Sequence, residues 1–379
     1  MTGNLVPEET ELLERAAEWL RSVLPPTWTV EIADRTVATP GGTVRIDGVI
    51  NVATPQGLGS FLVEAKRSLT PKDAEQMFSG MARRYRQLNP YTSATLVVAP
   101  WLSSRTREVL SAEGINYIDL TGNARIEVAS PGLFLSYQGA DRDPQPALRG
   151  KARVRGPKAG RLVRFLCDVT PPYTVSEIAL ATRLTPGYVS RLLESLDGEA
   201  LIERTKRGQV VSTDLPGLLR RWTESYDVFK TNRSQAFVAP QGPAHLLKRL
   251  VDDSYIAVTG SFAAVRLAPV AAPALLVAYA GDVETTATAF GLLPADRGAN
   301  VVLLRPFDEV VWERTMVADG ICYVSPSQVA ADCLTGNGRM PSEGEALVTW
   351  MVDNEAEWRT PSVKEVTAVE ERRGAPGAA

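Results

Sequence analysis

Histidine and cysteine are almost missing from this chain: one His, His245, and three Cys, Cys167, Cys322 and Cys333, stand among 379 residues. A single imidazole leaves no material for a Ser-His-Asp triad, a Cys-His couple or a pair of histidine metal ligands, which argues against hydrolases of those classes. Three cysteines, odd in number and widely spaced, make neither a disulfide framework nor a zinc site, and they fit a reducing compartment. Long apolar runs are missing too. The longest, Ala268 to Ala280, is too short for a bilayer and contains Pro269 and Pro273. The opening, MTGNLVPEETELLERAAEWL, places acidic residues where a signal peptide carries a basic leader and an apolar core. The expectation is a cytoplasmic protein with no membrane partner.

What is present is ordinary for globular domains, 44% hydrophobic and 22% charged residues, over a length that holds two or three of them. The net charge of -3 is unevenly spread: Lys151 to Trp222 carries thirteen Lys and Arg against seven Asp and Glu, an excess of six. A basic island in an acidic chain points to a polyanionic partner. Two stretches rich in Pro, Gly and polar residues, near 141 to 160 and 230 to 244, read as linkers. They predict domains over residues 1–140, 159–228 and 243–360, with a disordered tail over 361–379. The fold class expected is multidomain α/β and α+β: an α/β domain, a central winged helix and a C-terminal α/β domain.

The first segment reads as an amphipathic helix from Pro7 to Leu24, strands at TWTVEIA, TVRIDGVINV and SFLVEAK, a helix from Thr70 to about Leu88, and a strand at ATLVVAP. Asp47 falls in one strand, and Glu64 with Lys66 in the next, where period two sets these last two on one face. Two carboxylates hold Mg²⁺, and a lysine orients water and offsets charge developing on a phosphate. An ion pair on an exposed strand, with Asp47 ending a turn at IDG, explains the same residues without chemistry. Asp47 with Glu64-Ala65-Lys66 resembles the PD-(D/E)XK restriction-endonuclease-like fold. That resemblance implies metal ligation by Asp47 and Glu64, catalysis by Asp47, Glu64 and Lys66, and a polar helper at Gln76; Glu11 is a further candidate acid. The later run with Asp119 and Gly122-Asn123 reads as a turn between strands.

In the middle segment, from about Gly160 to Trp222, TVSEIALAT carries a capping box, Thr174 with Glu177. Thr185 caps a second helix that has Pro186 at its first position, and the short turn between the two makes a helix-turn-helix. Val189, Leu192, Leu193 and Leu196 share one face of the second helix, so Gly187, Arg191 and Glu194 lie opposite, flanked by Tyr188, Ser190 and Ser195. Next, LIERTKRGQVVST reads as a hairpin with cations at its tip. GYVSRLLESLDGEALIERTKRGQV is similar to the recognition helix and wing of bacterial winged-helix regulators. The resemblance implies base contacts from Tyr188, Ser190 and Arg191, phosphate or minor-groove contacts from Arg204, Lys206 and Arg207, and further cations at Arg161 and Arg164 on the first helix. Such a domain also serves protein contacts in some chains.

In the third segment TGSFAAVRLAP has the strand-to-helix turn on which nucleotidyltransferases hold phosphate, but no carboxylate pair follows before Asp282 and Glu284, so it reads as a helix start. YVSPSQVAADCLTGNGRMPSEGEALVTWM resembles the C-terminal part of AbiEi-type antitoxin regulators. The leading expectation is a nucleoid-associated transcriptional regulator on double-stranded DNA, not itself an enzyme, with the flanking domains for dimerisation as a homodimer, sensing or a protein partner. The alternatives are a Mg²⁺-dependent DNA endonuclease using Asp47, Glu64 and Lys66, with Mg²⁺ the one cofactor implied, and an antitoxin-like autorepressor.

Overall fold

Leu12, Leu13, Ala16, Ala17 and Leu20 recur at three- and four-residue spacing and are all buried, the stripe that makes α1 (Glu9–Val23) an amphipathic helix. In the computed structural model, which describes residues 8–33, 36–39, 42–77, 93–129, 132–140, 143–144, 154–253 and 255–365, this helix covers one face of a seven-stranded sheet. The chain divides into two compact units, Met1–Lys151 with Gly198–Ala200, and Ala152–Asp197 with Leu201–Ala379. Each is mixed α/β.

In the first unit an antiparallel meander of β1 (Thr29–Ala33), β4 (Gly48–Thr54) and β5 (Gly57–Ala65) leads through α2, helical residues 71–77, to β6 (Ser93–Ala99), parallel to β5. Then α3 (Ser104–Ala112) leads to β7 (Asn116–Asp119), also parallel, and β8 (Ala124–Val128) and β9 (Leu133–Tyr137) finish the sheet antiparallel. Alternation along β6 decides which layer each residue joins: Leu96 and Val98 pack with α1, Val97 and Ala99 with Leu102 and Leu110 on the other side. The helix expected to run to about Leu88 is described over 71–77, and its remainder lies outside the described residues.

TVRIDGVINV, expected as one strand, is broken at Ile46 and Asp47. A short hairpin, β2 (Thr36–Thr39) with β3 (Gly42–Arg45), precedes the break. Gly48 then restarts the ladder where α1 approaches closely; a Cβ there would meet Leu13 Cδ2 at 2.6 Å.

The second unit opens with α4 (Pro157–Asp168), α5 (Val175–Thr182) and α6 (Pro186–Gly198), a hairpin of β10 (Ile202–Arg204) and β11 (Val210–Thr213), and α7 (Leu215–Thr223). The short α8 (Val228–Thr231) leads to β12 (Arg233–Val238) and α9 (Pro243–Arg249). A sheet of order β15-β12-β16-β14-β13-β18-β17 follows, built from β12, β13 (Ile256–Thr259), β14 (Leu276–Ala280), β15 (Leu293–Pro294), β16 (Val301–Arg305), β17 (Met316–Ala318) and β18 (Ile321–Tyr323). Around it lie α10 (Ser261–Ala264), α11 (Val283–Phe290), α12 (Pro326–Leu334), α13 (Met340–Asp353) and α14 (Glu355–Trp358).

The stretch 230–244 is thus not a linker. β12 occupies it and pairs with β16 from Arg233 to Phe237, although four of its six residues are exposed and no apolar alternation marks it in the sequence. The segments read as 159–228 and 243–360 share one apolar core: Leu162, Phe165, Leu193 and Trp222 belong to the same cluster as Ala257, Tyr279, Ala330 and Leu347. Val363 is buried in it as well, and the expected tail beyond Glu365 lies outside the described residues.

Within that core sits a carboxylate with no cation bonded to it among the described residues. Asp332, on α12, is wholly buried and accepts from Thr259 Oγ1 at 2.6 Å, Tyr226 Oη at 2.6 Å, Gln328 Nε2 at 2.8 Å and Tyr279 Oη at 3.0 Å. Burial outweighs these bonds and pushes its pKa up to about 6. The folded value lies above the unfolded one, about 3.9, so the folded state binds the extra proton between the two and stability falls as pH rises through that window. Relative to Asp332→Asn, the wild type is expected to lose on the order of 2–3 kcal/mol from about pH 4 to about pH 6. Denaturant melts of both proteins at the two pH values check this, and a pH-independent difference would refute it.

Candidate nucleic-acid interface

Thr174 and Glu177 close the capping box expected of them: Glu177 N–H donates to Thr174 Oγ1 at 3.3 Å, and Thr174 N–H to the Glu177 carboxylate at 2.7 Å. Helix α5 stops at Arg183, exposed and left-handed at φ 54°, and α6 starts three residues later with Pro186. Val189, Leu192, Leu193 and Leu196 are buried, which leaves Gly187, Arg191 and Glu194 exposed and Ser190 and Ser195 half-buried. Tyr188 is half-buried and packs partly on the core, and burial raises its pKa against the pull of Arg191, so it presents a neutral phenol. Arg183, in the turn itself, is the cation that sequence pattern passed over, because nothing in the pattern tells an exposed turn residue from a buried one.

The wing is a two-stranded hairpin whose turn is closed by Gly208 N–H to the Thr205 carbonyl at 2.8 Å, with Gly208 at φ 84°. Lys206 and Arg207 are exposed at its tip. Arg204 is half-buried, and its Nε donates to the Gly208 carbonyl at 3.3 Å, so it braces the wing. Neither Arg191, Lys206 nor Arg207 is in an ion pair among the described residues.

The two cations of α4 depart from expectation. Arg164, expected on the outer surface, is wholly buried: it donates to the carbonyls of Val310 and Glu313, to Ser325 Oγ at 2.7 Å and to Asp168 at 3.1 Å. Arg161 holds both carboxylate oxygens of Asp308 at 2.9 Å. Both bind α4 to the segment 308–313 and are spent inside the unit; those partners lie well over a hundred residues away in sequence, beyond the reach of any local pattern.

In the first unit Asp47, Glu64 and Lys66 meet. Lys66 Nζ donates to Glu64 Oε2 at 2.9 Å and to Asp47 Oδ2 at 3.3 Å, and Ala65 N–H to Asp47 Oδ2 at 3.0 Å. Asp47 lies between strands rather than in one, and its carboxylate takes a backbone N–H at the end of β5. Burial opposes the charge on Lys66, but the Glu64 and Asp47 carboxylates outweigh it and hold the ammonium pKa above its ordinary value. Glu64 is buried, Asp47 half-buried. One or two carboxylates with retained waters are enough for Mg²⁺, so this pair fits the ion. Gln76 is exposed on helical residues 71–77 and joins none of these bonds, and Glu11 pairs instead with Arg15 at 3.8 Å. No group of three or more His, Cys, Asp or Glu able to hold a metal is found among the described residues.

Asp119, read as a turn residue, does more. It is buried and accepts from Thr121 N–H at 2.9 Å, Thr121 Oγ1 at 2.7 Å, Asn123 N–H at 3.0 Å, Asn123 Nδ2 at 2.8 Å and Leu102 N–H at 3.0 Å. Asn123 Oδ1 in turn accepts from Arg107 at 2.6 Å and Gly139 N–H at 2.8 Å. This knot ties the ends of β6, β7 and β9 together. The nucleotidyltransferase-like turn is also structural: α10 has four residues, and Ser261 Oγ donates to Glu343 at 2.5 Å. No helix among the described residues is long and apolar enough to cross a membrane. No family model matches the chain, and no curated protein does.

Proposed function

We propose that the second unit docks on double-stranded DNA as a winged helix-turn-helix and that the protein is a transcriptional regulator. The observation that carries this reading is three exposed cations without an ion pair among the described residues, Arg191 on the outer face of α6 and Lys206 with Arg207 at the wing tip, on a frame whose Arg161 and Arg164 are committed inside. A helix in the major groove places Tyr188, Ser190 and Arg191 at base edges, while the wing tip and Arg183 meet phosphates. Arg204 supports the wing from behind.

The test uses the DNA upstream of the protein's own gene. Arg191→Ala is expected to relax sequence preference by roughly tenfold, the scale of one good base contact. Lys206→Ala/Arg207→Ala is expected to weaken specific and unrelated DNA alike and to lower the slope of log affinity against log salt by about 2. Unchanged affinity and slope in both variants would remove this surface from the reading.

A second reading rests on the convergence of Asp47, Glu64 and Lys66: a Mg²⁺-dependent endonuclease in the first unit, to which the second delivers DNA. Bound Mg²⁺ would supply Lewis acidity at the scissile phosphate; Asp47 and Glu64 would hold it, and Lys66 would face the developing charge. Incubation of that DNA with and without Mg²⁺ separates the readings. Mg²⁺-dependent cutting abolished in Glu64→Ala/Lys66→Ala would establish the nuclease, and intact DNA in every lane would leave the regulator.

A further inference from the structure

Arg233 opens β12 and Arg305 closes β16, and the antiparallel register sets the two guanidinium side chains opposite each other. Like charges facing across a ladder repel. Neither arginine is in a side-chain hydrogen bond or ion pair among the described residues. Arg305 acts at a distance on Asp282, whose oxygen is taken by Thr285 N–H at 2.7 Å as the cap of α11. With Thr231, Pro306 and Phe307 the two arginines line a cavity of about 350 Å³. That is the small end of ligand pockets. Two unpaired guanidinium forks suit the planar, bidentate recognition of phosphate, and Pro306 with the half-buried Phe307 adds an apolar wall.

We propose that this cavity binds a small phosphorylated ligand, its phosphate on Arg233 and Arg305 and its organic part against Pro306 and Phe307. The cavity is wired to α4. Phe307 N–H donates to Asn232 Oδ1 at 3.1 Å, beside Arg233, and the next residue, Asp308, is the one that grips Arg161 through two bonds of 2.9 Å. A ligand that draws Arg305 and Arg233 together moves the strand end that anchors the first helix of the winged helix, and so alters DNA affinity. This regulatory consequence rests on the DNA-binding reading; the ligand site does not.

The experiment titrates the full chain calorimetrically, in phosphate-free buffer, with inorganic phosphate, pyrophosphate and adenosine 5′-monophosphate, and with adenosine as the uncharged control. Wild type is expected to bind the phosphorylated probes and not adenosine, Arg233→Ser/Arg305→Ser to bind them at least tenfold more weakly, and Lys248→Ser, an exposed cation elsewhere, to match wild type. Equal affinity in the double variant, or no binding of any probe at millimolar concentration, overturns the site. The double variant is also expected to melt no lower than wild type without ligand, because a repulsion has been removed; a lower melting temperature overturns the view that the two cations lack partners. DNA affinity is then measured with and without the tightest probe. A change in wild type that the double variant lacks supports the coupling, and no change overturns it. Weaker DNA binding by the double variant without any probe would assign the arginines to the DNA backbone and overturn the small-ligand site. A chain that binds the probes but no DNA at all would sink the winged-helix reading and leave the ligand site standing.

Discussion

Replacing Arg164 by alanine is expected to lower the stability of the second unit by on the order of 3–5 kcal/mol, the scale for breaking a buried, hydrogen-bonded ion pair from one side. Its side chain is wholly buried and fills four bonds at once, to the Val310 and Glu313 carbonyls, Ser325 Oγ and Asp168. The alanine variant strands two carbonyls and leaves Asp168 with Arg314, at 2.8 Å, as its one remaining cation among the described residues. Burial alone would raise the pKa of Asp168, but Arg164 and Arg314 hold it below the ordinary carboxylate value. Its folded value therefore lies under the unfolded one of about 3.9: the stabilisation is complete above that pH and disappears as pH falls through the folded value. Arg164→Ala is expected to be less sensitive to acid as well as less stable. Arg164→Lys keeps the charge but not the planar fork, and is expected to fall between the two. A shift of the denaturation midpoint at unchanged slope measures the loss; a variant within about 1 kcal/mol of wild type would contradict the network's role.

The second large effect is expected at Asp119. Its carboxylate ends five donors, three of them backbone amides, and is itself 1% exposed. Asp119→Ala takes the acceptor from three backbone amides and from Thr121 Oγ1, while Asn123 Nδ2 keeps Thr121 Oγ1 and the Ala140 carbonyl, each at 3.1 Å; hydrogen bonds to a charged group contribute about 1.5–3 kcal/mol each when measured singly. Because the bonds form one cluster they do not add, and the expected loss in the first unit is on the order of 3–5 kcal/mol. Asp119→Asn keeps the shape but turns an acceptor into a donor that faces a donor, and is expected to lose about half as much. Hydrogen exchange at Leu102, Thr121 and Asn123 reads the knot directly: protection is expected to drop at all three together in Asp119→Ala. Loss at Thr121 alone would mean that Asp119 serves only its own turn.

Both residues show how legibility follows the range of the interaction. The capping box at Thr174 and Glu177, the apolar faces of α1 and α6 and the hairpin turn at Gly208 are set within a few residues of one another, so spacing alone reveals them. Glu64 and Lys66 could be paired on one face because strands alternate, and Asp47 joined them through a neighbouring strand. What local spacing could not show was the break at Asp47, whose carboxylate accepts from the Ala65 amide, or that β12 is a strand at all, since its residues are mostly exposed and its evidence is the ladder with β16.

Arginine is where the two levels diverge most. From the sequence alone Arg161, Arg164, Arg191, Arg204, Lys206 and Arg207 of the basic island all read as cations turned toward DNA, and the helix-turn-helix with its wing was defined by local periodicity, caps and turns. Only the tertiary structure sorted those charges: Arg164 into the core, Arg161 onto Asp308, Arg204 under the wing, and Arg191, Lys206 and Arg207 into solvent. It also set Arg233 against Arg305 across a ladder. The physical reason is that a helix or a turn is stabilised by bonds to its near neighbours in sequence, whereas the state of a charge depends on what surrounds it in space, and for Arg161 and Arg164 those surroundings include a segment well over a hundred residues away.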